Sequence, residues 1–302
     1  MTRAGLLRFD RRSLLVGAGS AAGVGLLGRL ARGAGQKPLV PQFVPSTYAL
    51  AFADEFDDPD IGRINENATG GRPGAPAWRS RYRQPRKDVI NKEKQIYVDP
   101  AFAGTSDHPL GVQPFSIAAS ILRIRADRAD PIRVSPYIWG YKYISGCITS
   151  EFTHYQRYGY FEMRARLPAG KGFWPAFWLL PRRVAWPPEI DVFEGFGTRR
   201  NSLHQGVIEG RHAVQAAWVR GNFDVTDGFH VYGLEWSESS FAFFVDGRRT
   251  NEFTNHAIHE EMYILANLAL GSHDPNWVPD PDHTTPFPGY FEIDYIRSYA
   301  RS

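Results

Sequence analysis

Cysteine is almost absent from this sequence. Cys147 is the single one in 302 residues, which excludes an intramolecular disulfide framework and any zinc site built from several thiolates. Long apolar runs are missing too. Beyond the first 30 positions no stretch reaches the roughly 18 apolar residues of a membrane-spanning helix, which excludes a polytopic membrane protein. Past that point no segment sustains helical periodicity, and no internal repeat or low-complexity tract is present. A basic surplus is lacking where it would matter. Six arginines against Asp10 give the first 35 residues a net charge of +5, more than the +3 of the whole chain, so the remainder carries −2. Nucleic acid is therefore not an expected partner. What is present is a core: 43% of residues are hydrophobic and 14% aromatic, enough to exclude disorder over most of the chain.

The opening segment reads as a leader. Arg11 and Arg12 precede a Gly- and Ala-rich apolar stretch from Leu14 to Leu27, a pattern similar to a twin-arginine export signal. An uncleaved membrane anchor is the competing reading, disfavoured because the stretch is short for a spanning helix and rich in glycine. The expected organisation is an export signal over 1–35, a linker over 36–45 and one domain over 46–302, in a secreted or periplasmic protein. Such a route carries folded chains, which suits a protein without disulfides.

From about Ser46 onward, short apolar or alternating runs recur every 8–15 residues. They include Tyr143–Ile148, Gly159–Arg166, Ala176–Leu180, Ile190–Phe193, Phe229–Trp236, Tyr263–Leu270 and Tyr290–Tyr299. Phe241–Val245, then Asp246-Gly247, then Arg248–Phe253 is a strong hairpin signal. The spacing predicts an all-β domain, a sandwich or jelly roll. Residues 57–80, 99–115, 127–142 and 271–288 read as long loops.

Three acids interrupt one β-prone run, Glu189-Ile190-Asp191-Val192-Phe193-Glu194. In a strand, Glu189 and Asp191 share a face. Glu194 would point the other way, into the core, where an unpaired carboxylate is costly. One extra residue near Val192-Phe193, a β-bulge, returns it to the face of the other two. Paired carboxylates on one surface are the minimum apparatus of a glycosidase, and a retaining enzyme needs them about 5–5.5 Å apart. An edge strand with exposed acids and an oxygen-ligand calcium site are the competing readings; exposed edges rarely carry Ile190, Val192 and Phe193 among the acids, and a calcium loop is usually less apolar. Trp174, Trp178 and Trp186 lie within 15 residues of Glu189 and offer flat faces for pyranose rings. Trp174 is expected to face the cleft and Trp178 to pack inside. His204 is a candidate hydrogen-bond donor to substrate or carboxylate. Trp139 and Trp277, in two of the loops, are candidate platforms, and Arg133 and Lys142 are candidate contacts for an acidic sugar.

The run Tyr158 to Leu180, with Gly-Lys-Gly-Phe-Trp-Pro at 170–175, followed by Glu189 to Glu194, closely resembles glycoside hydrolase family 16, the laminarinase and lichenase group. Asp54-Glu55-Phe56-Asp57, Asn91 to Tyr97, Ser145-Gly146, Tyr263 to Ser272 and Ile293 to Arg297 are similar to further stretches of the family. The resemblance implies a β-sandwich jelly roll with a concave substrate cleft, and retaining endo-hydrolysis of a β-linked polysaccharide, a β-1,3-containing glucan first. It implies Glu189 as nucleophile, Glu194 as acid/base and Asp191 as assisting acid; Trp174, Trp186, His204, Asn91 and Trp277 are the candidate substrate-binding residues. No cofactor is implied for catalysis. Many members bind a structural calcium, for which Asp294 and Glu55 are the candidates here. The expected partner is the polysaccharide, with no stable protein partner and a monomeric chain. The bulged form of the acid motif is typical of laminarinases and several marine galactanases. One departure is Ile208, where laminarinase-like members often carry a second histidine, so a galactan or bacterial exopolysaccharide stays open as substrate. Transglycosylation and a non-catalytic carbohydrate-binding jelly roll are the rival readings.

Overall fold

The computed structural model describes residues 47–302; the predicted leader and linker lie outside the described residues. Two antiparallel sheets face each other. The smaller has six strands, in spatial order Ala213–Arg220, Ser202–Gly210, Glu189–Gly195, Phe173–Pro181, Met262–Leu270 and Cys147–Thr149. The ten-stranded partner runs from Arg248–Thr254 through Ser240–Val245, His230–Trp236, Gly159–Arg166, Gly289–Arg301, Ile121–Arg128 and Tyr143–Ser145 to Gln95–Tyr97. Tyr48–Asp54 adds to Gly289–Arg301 and Phe115–Ala118 to Ile121–Arg128. Among these strands only Gln95–Tyr97 and Tyr143–Ser145 pair in parallel. This is the expected all-β sandwich.

Alternation along each strand builds the core. From the smaller sheet Phe173, Phe177, Leu179, Ile190, Phe193, Ile264 and Leu268 point inward, and they meet Phe161, Met163, Leu234, Phe243, Phe291 and Ile293 of the larger one. All thirteen are at most 1% exposed. Burying side chains of this size stabilises the fold by about 1.5–3 kcal/mol each, as an upper estimate. The other face of the smaller sheet is left for solvent or ligand.

The Asp246-Gly247 hairpin forms as read. Both residues have positive φ, 49° and 70°, as a tight two-residue connection requires. Three strands of eight or nine residues have no counterpart among the runs named from the sequence, Ser202–Gly210, Ala213–Arg220 and Ile121–Arg128. The second is mostly exposed or half-buried and pairs on one side only, so it lacks the apolar run that signals a strand. Residues 57–80 hold little more than a short 3-10 turn at Ile61–Arg63 and a two-residue ladder.

Candidate active site

The free face of the six-stranded sheet is the floor of a cleft of about 810 Å³. Residues of one parity supply it: Trp174, Ala176, Trp178 and Leu180 from one strand, His204, Gly206 and Ile208 from another, and Tyr263, Asn267 and Ala269 from a third. Between them lies the acid strand. Its register against both neighbours shifts between Asp191 and Glu194. Asp191 is opposite Trp178 and Gly206, whereas Glu194 is opposite Ala176 and His204. Val192 and Phe193, consecutive in sequence, are both fully buried in the core. The bulge thus absorbs one apolar residue into the sandwich and returns Glu194 to the cleft beside Glu189 and Asp191. Small residues carpet the floor around the acids. Gly206, next to Asp191, has no room for more, since an added Cβ would lie 2.8 Å from the Ala216 methyl.

Each terminal acid has its own hydrogen-bond partners. Trp186 Nε1 donates to Glu189 Oε2 at 2.7 Å. Glu194 is held on both oxygens, by Trp174 Nε1 at 3.1 Å and by His204 Nδ1 at 2.8 Å. The His204 ring is wedged edge-on between Trp218 and Trp277, with centroids 5.3 and 4.8 Å away. Asp191 is buried between the two glutamates. Burial first, then the charges of Glu189 and Glu194, drive its carboxyl well above the ordinary range. Glu189 is likewise pushed up to about 7, by burial and then by Glu194, and hydrogen bonds from Trp186 and Asp191 oppose the rise. The proton of the inner pair therefore resides on Asp191, which donates it to an anionic Glu189.

A second polar chain crosses the floor. Trp178 Nε1 donates to Asn267 Oδ1 at 2.7 Å, Asn267 Nδ2 to the Tyr97 hydroxyl at 3.0 Å, and that hydroxyl to Glu93 Oε2 at 3.2 Å. Gln95 Nε2 adds a bond to the same oxygen at 2.6 Å. Glu93 is buried and its carboxyl is pushed up to about 7 by desolvation. Arg83 closes one rim. It pairs with buried Glu151, lies 5.0 Å over the Tyr263 ring, and donates to the carbonyls of Arg183 and Arg182 at 2.8 and 2.6 Å.

The cleft gathers Glu189, Asp191, Glu194, Trp174, Trp186, His204, Asn91 and Trp277. Several expectations fail. Trp178 does not pack inside; it shares the parity of Trp174 and faces the cleft with it, while Phe173, Phe177 and Leu179 fill the core. Trp139 lines a different groove. Neither Arg133 nor Lys142 lines the cleft, and Arg133 is bound to Asp130 at 3.0 Å. The candidate calcium residues are both engaged by arginines. Glu55 is held by Arg297 at 2.6 and 2.9 Å and Asp294 by Arg164 at 2.5 Å, so guanidinium groups already balance both charges. No group of three His, Cys, Asp or Glu side chains suited to a metal exists among the described residues. Residues missed in the sequence include Asn267, Glu93 and Trp218; the parity of their strands was the available signal for the first and last.

Residues 116–295 match the sequence profile of the glycosyl hydrolases family 16. The chain belongs to this family. It is 34% and 35% identical to two endo-1,3-1,4-beta-glycanases of Rhizobium meliloti, over 84% of its own length and 52% of theirs. It thus spans about half the length of these curated relatives. An endo-beta-1,3-glucanase of Pyrococcus furiosus superposes with a TM-score of 0.65 at 26% identity, covering 87% of this chain and 99% of that one. A non-specific endo-beta-1,3(4)-glucanase of the family gives 0.69 at 25% identity, covering 87% and 95%. In the family's terms, the cleft face of the smaller sheet carries the acid motif in its bulged form.

Proposed function

We propose that the protein is a retaining endo-glycanase that hydrolyses internal β-glycosidic bonds of a glucan containing β-1,3 linkages. The observation that carries this reading is the acid row, brought to one cleft by the bulge and held by separate donors at each end. Similarity to endo-1,3-1,4-beta-glycanases supports the substrate class. Endo action accords with the cleft's extent. Its lining residues come from five neighbouring strands, from Val214 to Asn267, and from Tyr82, Arg83 and Gln84 beyond them, room for several sugar rings.

In this mechanism Glu189 attacks the anomeric carbon and forms the glycosyl-enzyme, while Glu194 gives a proton to the departing glycosidic oxygen. Glu194 then takes a proton from water, which attacks the same carbon and frees Glu189. Asp191, holding the proton of the inner pair, keeps Glu189 anionic and donates to whichever oxygen is not attacking. Trp174 and His204 fix the Glu194 carboxyl in the cleft.

The test uses laminarin and mixed-linkage β-glucan with wild type and Glu189→Gln. Wild type is expected to release reducing ends whose first-formed anomer is β by NMR, and the variant to lose at least 10³-fold in kcat, on the order of a removed catalytic group. Near-normal turnover in the variant, or α-anomer first, overturns the reading. Export by the twin-arginine route is a further part of the proposal, supported by Arg11 and Arg12 before the apolar stretch. Replacing both with lysine is expected to leave active protein inside the cell; unchanged export would refute it.

A further inference from the structure

Trp139 occupies a place where the backbone does not favour it. Tyr141 N–H donates to the Ile138 carbonyl at 3.0 Å, closing a turn whose central residues are Trp139 and Gly140, with φ of +53° and +84°. Such a turn asks for Asn-Gly; a bulky side chain in the left-handed region is strained. The neighbours divide sharply. Ile138 is fully buried in a small core with Phe102, Val134 and Ile144, whereas the Trp139 indole is 44% exposed. Phe102 steadies it, ring centroids 6.3 Å apart. Trp139, Gly140, Tyr141 and Lys87 enclose a groove of about 340 Å³ outside the catalytic cleft. Neither the acid chemistry nor the main core accounts for a strained, exposed indole there.

The groove and the cleft share a wall. Segment 84–93 lines the cleft with Gln84, Ile90, Asn91 and Glu93, and borders the groove with Lys87. Lys87 and Asn91 are four residues apart, so at most about 14 Å of chain separates the two surfaces. The wall is anchored. Arg86 donates to the Tyr97 carbonyl at 2.8 Å and pairs with Asp99, and the Tyr141 hydroxyl reaches the Lys87 carbonyl at 3.5 Å.

We infer that Trp139 is the platform of a second carbohydrate site, on which a sugar ring of the polysaccharide outside the catalytic cleft stacks its apolar face, with Tyr141 and Lys87 beside it. The inference rests on the reading of the substrate as a β-linked glucan. It adds a distal hold on long chains that short oligosaccharides do not reach.

Trp139→Asn tests it, because asparagine suits the turn and removes the indole. In the Glu189→Gln background, retardation in gels containing laminarin or mixed-linkage β-glucan is expected to weaken roughly three- to tenfold, the range of one aromatic stack. In the active enzyme, KM for the polymer is expected to rise by a similar factor, with kcat/KM unchanged for a trisaccharide. The Tm is expected to hold or rise as backbone strain is relieved. Unchanged retardation and KM overturn the site, and so does a fall in Tm accompanied by equal losses on polymer and trisaccharide, since that marks the indole as structural. Failure of the functional reading is separable: binding is measured without turnover, and wild type inert on every glucan yet retarded through Trp139 would refute hydrolysis and keep the platform. Absence of retardation for Glu189→Gln with Trp139 intact refutes the platform.

Discussion

Asp191, buried, and Glu189, partly buried, stand side by side in the row, and a single proton between them satisfies both. Burial and the neighbouring carboxylates push both upward, and the hydrogen bond from Asp191 pulls Glu189 back down. The nucleophile must be ionised to attack, so the acidic limb of the pH–rate profile should reflect Glu189 and lie near neutrality. Asp191→Asn keeps a donor beside Glu189, whereas Asp191→Ala removes it. The alanine variant is expected to lose about 10²–10³-fold in kcat and to shift the acidic limb to higher pH, with the asparagine variant in between. Equal profiles for all three proteins would show that Asp191 does not tune its neighbour. These three acids were legible in the sequence, because their types and spacing within an apolar run leave few other uses. The indoles that donate to them were legible as aromatics near the site, not as donors to particular oxygens.

A strand is a two-sided object, and parity decides what each side does. Trp178 illustrates the limit of reading. Phe173 to Leu180 is apolar throughout, so hydrophobicity does not mark a face, yet Trp174 and Trp178 are four apart and must share one. Register counting alone would have placed both in the cleft. The bulge was accessible for the opposite reason: a regular strand would have buried Glu194, and that cost demanded a shift. Contacts between distant elements carried no local signal. Arg83 reaches carbonyls about one hundred positions away and clamps the rim segment that presents Trp186 to Glu189. Arg83→Met should free that rim. The expected result is a several-fold rise in KM, a smaller loss in kcat, and faster proteolytic cleavage within 182–188. Unchanged cleavage and kinetics would mean that Glu151 and Tyr263 hold the rim without it.

Across the whole molecule, several buried groups make stability depend on pH, and in opposite directions. Glu93 and Glu162 are pushed up from the ordinary 4.5 to about 7, chiefly by burial. Each binds a proton in the folded protein where the unfolded chain has released it. Their contribution is complete below 4.5 and is lost as pH rises through 7. His154 works the other way. Burial pulls it from 6.5 to about 4, so its contribution is complete above 6.5 and is lost as pH falls through 4. The two acids outnumber it, and the Tm is expected to decline between pH 5 and pH 8. Glu93→Gln keeps the shape and an oxygen for Tyr97 and Gln95 without the charge; it should flatten that decline and raise the Tm at pH 8 by a few degrees. A wild-type Tm that climbs from pH 5 to pH 8 would contradict this balance. Fold class was readable at this scale from many short runs and turn residues. The order of strands in each sheet was not, since pairing across the sandwich is set by packing between segments far apart in the chain.

The setting of the acids also has an optical consequence. Trp174 and Trp186 each donate to a carboxylate of the row, and His204 is wedged between Trp218 and Trp277. Half of the eight tryptophans therefore touch the acid row or the histidine that holds it. A charged carboxylate beside an indole shifts its emission. The protein's own fluorescence, followed against pH in the Glu189→Gln and His204→Gln backgrounds, becomes a label-free record of which member of the row is ionised.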